Sequence, residues 1–154
     1  KLNILSPAEL EARKEIELEN YTMKIQIESR AIGDISQNHI IPTAIGYQNR
    51  LVENIKGLKE VFEGKDVETH TSTQMKLLHE ISRHITEIKN NVDAMINERR
   101  KGNKIEDVQK KAIHYCDNVK PYFEPLKYHV DKLEMLVDDE IWPLPKLREM
   151  LFTK

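Results

Sequence analysis

Cysteine is nearly absent from this sequence. Cys116 stands alone, which excludes an intramolecular disulfide and fits a reducing, cytoplasmic compartment. Glycine and proline are also scarce, five and six in 154 residues, too few for a loop-rich or disordered chain. Charge of one sign is missing: 24 basic against 26 acidic residues leave a formal net charge of −2, which argues against a general nucleic-acid binder. No apolar run approaches the roughly 18 residues of a membrane span, and no secretory signal is visible. Strong β-formers rarely alternate, so a sheet is not expected. What remains, 39% apolar and 32% charged residues, reads as one soluble helical domain over residues 1–154.

Helical spacing and punctuation divide the chain. Ser6-Pro7-Ala8-Glu9 is a helix start with a capping box. Leu18, Tyr21, Ile25, Ile32 and Ile35 form one seam, and Ile16, Met23 and Ile27 form a second stripe, as if the helix touched more than one neighbour. Pro42 removes a backbone donor, yet Ala44, Leu51, Ile55, Leu58 and Phe62 continue the pattern, so a long first helix kinked near Pro42 is expected. Gly64 closes it, and a polar connection through Thr69-His70-Thr71 leads to a second capping box, Thr71 with Gln74. Met75, Leu78, Ile81, Ile85, Ile88, Val92 and Met95 make the cleanest seam, with Ile81, Ile85, Ile88 and Val92 expected in the core. Arg99-Arg100-Lys101-Gly102 ends that helix. Asn103 with Glu106 is expected to start the next one, stopped at Pro121 and Pro125, with Pro121 a candidate start for a further helix. Leu126, Val130, Leu133 and Val137 mark a last helix, followed by a short proline-rich tail and a turn of helix over 146–151. The fold expected is an all-α antiparallel bundle of three to five long helices.

The chemistry-bearing patterns are weak. His79 and His84 resemble a zinc motif, but a five-residue separation puts their rings about 140° apart on a helix. They read as two surface histidines. None of the six histidines has a carboxylate three residues earlier, which removes the di-iron bundle pattern. Asp131, Glu134 and Asp138 share a face and read as solvated acids. The five glycines are isolated, so no phosphate loop is formed. Cys116 lies on an apolar face and reads as an inert thiol. The basic group Arg99, Arg100, Lys101, Lys104, Lys110 and Lys111 reads as a helix end and a solvated face. No catalytic, cofactor-binding or metal-ligating residue is therefore assigned. Trp142, with Leu144, Leu147, Leu151 and Phe152, is the candidate docking element. It packs back on the bundle, around Ile16, Met23 and Ile27, or on another domain or subunit.

Three stretches carry a family resemblance: residues 15–30 (EIELENYTMKIQIESR), 38–50 (NHIIPTAIGYQNR) and 139–152 (DEIWPLPKLREMLF). In order, they closely resemble the C-terminal region of class III glutamine synthetases, the large bacterial form. An opening at Lys1 without Met, running straight into a helix start, fits a piece of a longer enzyme. The resemblance implies a parent reaction in which glutamate, ammonia and ATP give glutamine, with Mg²⁺ or Mn²⁺. It implies that this ligand chemistry lies in an upstream catalytic domain, with no cofactor held here. The partners it implies are that catalytic domain and neighbouring subunits of a homo-oligomer, with no nucleic acid and no membrane. The fragment alone is then non-catalytic, serving assembly or stability. A stand-alone helical adaptor binding a partner helix is the alternative.

Overall fold

The computed structural model describes residues 6–146 together with Glu149 and Leu151, and among them there is no strand. The residues from Pro7 to Leu136 form three helical rods. The first consists of α1 (Pro7–Ile35), a π turn (Ser36–Ile40) and α2 (Ile41–Val61). The second is α3 (Lys65–Gly102). The third consists of α4 (Val108–His114), a π turn (Tyr115–Val119), a 3-10 turn (Lys120–Tyr122) and α5 (Phe123–Leu136). Rod two runs antiparallel to both others. Against rod one, Gln26 meets Asn103, Gln48 meets Ser82 and Gln74 meets Asn54. Against rod three, His114 meets Glu98 and His129 meets His84.

Local chemistry explains where the rods start and turn. Ser6 Oγ accepts from the Glu9 amide at 3.3 Å, and the Ser6 amide donates to Glu9 Oε2 at 2.7 Å, the capping box read from sequence. The Ser6 amide, together with the Ser6 hydroxyl donating to the same Oε2 at 2.9 Å, holds the Glu9 carboxyl below its usual range. Helical hydrogen bonding does not stop at Pro42; it widens before it. The Ile41 amide donates to Ser36 O, five residues back. The same device precedes Pro121, where the Lys120 amide donates to Tyr115 O. In each rod the π turn ends two residues before the proline. A wider turn accommodates a residue that lacks an amide and crowds the carbonyl before it. This corrects the expectation that Pro121 and Pro125 end a helix, since rod three runs on to Leu136.

Two helix starts also differ from expectation. α3 begins at Lys65, six residues before Thr71, because Gly64 at φ +59° reverses the chain directly and leaves no polar connection. Thr71 sits inside the helix, its hydroxyl donating to Val67 O at 2.7 Å. α4 begins at Val108, capped by Asp107, whose carboxylate accepts from the Lys110 amide at 2.7 Å. Asn103 is instead drawn into side-chain contacts with Tyr115 and Gln26.

The core runs along α3. Ile81, Ile88, Val92 and Met95 are fully buried, joined by Ile40, Ala44, Tyr115, Val119, Leu126 and Leu133. Ile85 is only half-buried, which corrects its place at the centre of the seam. The fully buried side chain on the neighbouring position is His84. Rods two and three are in tight contact at Gly102. A Cβ there would lie 2.8 Å from both His114 Cδ2 and Tyr115 Cε2, so only glycine fits without a shift.

Candidate functional site

A histidine pair, one member fully buried and the other half-buried, lies between α3 and α5. His84 Nδ1 lies 2.8 Å from His129 Nδ1, and His84 Nε2 lies 3.2 Å from an Arg83 guanidinium nitrogen. A guanidinium only donates, so His84 Nε2 is the acceptor and its ring proton sits on Nδ1. His129 Nδ1 then accepts from His84. Burial holds both imidazoles below their ordinary pKa. The neighbouring cations Arg83 and Lys132 add to this at His84, and Glu80 and Glu87 oppose it at His84 and His129 respectively. The reading of His84 as a surface residue is thus corrected: it is fully buried, and only His79 is exposed. A five-residue separation does place them on different faces, but His84 lands on the core face and finds a polar partner there. His129 was not singled out from sequence, because no local pattern announces a partner 45 residues away.

A second polar cluster ties rod one to the junction of rods two and three. Tyr115 Oη donates to Asn103 Oδ1 at 2.6 Å, and Gln26 Nε2 donates to Tyr115 Oη at 3.1 Å and Asn103 Oδ1 at 3.2 Å. Beside it, the neighbouring Cys116 thiol, together with burial, pushes the Tyr21 phenol up to about 12. Cys116 is half-buried against this partner. The basic group is dispersed: Lys101 pairs with Glu98 at 2.7 Å, and Arg99 Nε is buried without a hydrogen-bond partner. Among the described residues no three His, Cys, Asp or Glu side chains converge to hold a metal ion. Of the three acids on α5 and beyond, Asp131 is exposed and Asp138 bonds Arg50 at 3.1 Å while accepting from the Glu140 amide.

The tail residues separate. Trp142 is buried within the core cluster, and Ile141 and Leu144 pack against it. The chain reverses after Val137, and Lys146 Nζ returns to Glu134 O at 2.9 Å and to the Asp139 carboxylate. Leu151 is exposed, and Leu147 and Phe152 lie outside the described residues. The expected seat for this tail is overturned. Ile16, Met23 and Ile27 are 55%, 53% and 61% exposed, and Met23 only borders a cavity shared with Val108 and Lys111 of rod three.

The glutamine synthetase C-terminal domain family matches residues 1–59, the stretch that holds rod one. A glutamine synthetase of Bacteroides fragilis (strain YCH46) is 48% identical over 151 residues, 98% of this chain. The chain is thus similar to glutamine synthetases along its length, and to their C-terminal domain family over its first 59 residues. A type-3 glutamine synthetase of Dictyostelium discoideum is 27% identical over 99% of the domain, and a glutamine synthetase of Butyrivibrio fibrisolvens is 22% identical over 97%. The domain spans about a fifth of the length of these relatives, 21% in each. A free-standing adaptor is not favoured by relatives that contain the whole domain within a longer enzyme. Among the described residues no helix is long and apolar enough to cross a membrane.

Proposed function

We propose that this domain stabilises and helps assemble a cytoplasmic, bacterial-type glutamine synthetase, contributing no catalytic residue of its own. The parent enzyme joins ammonia to glutamate using ATP and Mg²⁺ or Mn²⁺, with substrates, nucleotide and metal held by the rest of the polypeptide. The partners of the domain are that catalytic part and the neighbouring subunits of a homo-oligomer, not nucleic acid or membrane. The observation that carries this reading is the 48% identity to a glutamine synthetase across 98% of the chain. The polar clusters fit a structural role, since their donors and acceptors are spent on joining the rods to one another. A first rod bent near Pro42 and a proline-stiffened tail at 143–145 belong to the same reading. A widened turn next to proline is where helices bend, and a stiff tail loses little entropy on being fixed. The test is ATP-dependent glutamine formation by the 154-residue chain and by the full-length polypeptide. Turnover is expected only from the latter, and turnover by the domain alone overturns the proposal.

A further inference from the structure

α1 projects. From Ser6 to Asn20 every residue is exposed except the half-buried Leu18, and the first buried position is Thr22. Among the described residues, the one hydrogen bond from this stretch to another element is Lys14 Nζ to Gln109 Oε1 at 3.2 Å. One side of it is supported by Asp107, Val108 and Gln109, which face Glu11, Lys14, Glu15 and Leu18. Yet this stretch carries apolar side chains outward. Ile16, Met23 and Ile27 recur at seven and four residues, half a turn away from the buried Ile25, and Leu10 is 61% exposed near the helix start. Five glutamates (Glu9, Glu11, Glu15, Glu17, Glu19) against Arg13 and Lys14 make the surroundings of the stripe acidic.

Resting on the reading of the chain as a glutamine synthetase C-terminal domain, we propose that the outward face of α1 docks on the larger, preceding part of its own polypeptide, in an apolar groove with a basic rim. Three observations choose this occupant. The relatives are about five times longer than the domain, so the polypeptide that would cover the face exists in them. α1 is the first element of a C-terminal domain, so the tether holds the preceding polypeptide at an effective concentration on the order of millimolar. The excess of glutamates repels a second α1 laid in parallel and attracts a basic rim.

The experiment uses the full-length enzyme. Hydrogen exchange is read over residues 10–20 in the native polypeptide and in the triple variant Ile16→Glu, Met23→Glu, Ile27→Glu. Residues 81–95 of α3 report that the bundle stays folded. Docking predicts exchange over 10–20 at least about tenfold slower in the native enzyme than in the variant, with 81–95 unchanged. A photo-crosslinking residue at position 23 is expected to join α1 to the preceding part of the same subunit, identified with mixed isotope-labelled subunits. Equal exchange in the two proteins, a crosslink to α1 of another copy, or a crosslink to a neighbouring subunit each overturns the proposal. Glutamine formation by the same preparation separates the two readings. An active enzyme with fast exchange over 10–20 defeats the docking alone, whereas an inactive full-length polypeptide defeats the assignment on which it rests.

Discussion

His84 shows how one residue's environment sets a macroscopic property. Its two nitrogens are both committed, one accepting from Arg83 and one donating to His129. An added proton must displace one of these partners. With both imidazole pKa values lowered by burial in the fold, the unfolded chain binds more protons as pH falls below the ordinary histidine value of about 6.5. The pair's contribution is therefore present above that value and lost on acidification, by up to about 1.4 kcal/mol per pH unit for each histidine that stays neutral. Chemical denaturation of the domain at pH 7.5 and 5.5 should show this loss. A His84→Leu, His129→Leu protein should show a smaller one, and an equal pH dependence would refute the assignment. On the same helix, Ile88 is fully buried and Ile85 is not. Ile88→Ala should cost about 2–5 kcal/mol, the range for a buried large-to-small change. Ile85→Ala should cost distinctly less, and the two denaturation midpoints decide the order.

At the scale of elements, the two π turns and the single positive-φ glycine organise the chain. Each π turn lets helical hydrogen bonding continue past a proline, so α1 to α5 form three rods among the described residues. The reversal between rods one and two is compressed into Phe62-Glu63-Gly64. Gly64 takes φ +59° and ψ −132°, a region that a residue with a Cβ rarely enters. Phe62 stacks on His70 across the reversal, with ring centroids 4.3 Å apart. Gly64→Ala has open space for its methyl but a strained backbone, and it should cost about 1–3 kcal/mol in thermal or chemical unfolding. A neutral Gly64→Ala would mean that the turn has another accessible geometry.

For the whole molecule, the tail after α5 acts as a clasp. Val137 and Trp142 belong to the core cluster, Asp138 reaches Arg50 on rod one, and Lys146 returns to Glu134 on rod three. Truncation after Glu140 removes Trp142 and its buried area. The shortened domain should melt at a lower temperature, by an amount matching the roughly 3–5 kcal/mol of losing a buried tryptophan. An unchanged melting temperature, with activity and assembly also unchanged in the truncated full-length enzyme, would show that the tail neither clasps nor docks.

The sequence by itself determined the helical class, the Ser6 capping box, the buried faces through Ile81, Ile88, Val92, Leu126 and Leu133, and the resemblance to glutamine synthetases. These follow from local periodicity, capping chemistry and extended stretches of residues, none of which needs a partner in space. It left other features open or misplaced: the π turns ahead of Pro42 and Pro121, the early start of α3, the burial of His84 and the outward position of Ile16, Met23 and Ile27. Helical spacing identifies an apolar stripe but not whether a neighbour covers it. It identifies a histidine on a face but not the second imidazole that makes burial tolerable. Those outcomes belong to the packing of three rods, which reaches one side of α1 and leaves the other bare.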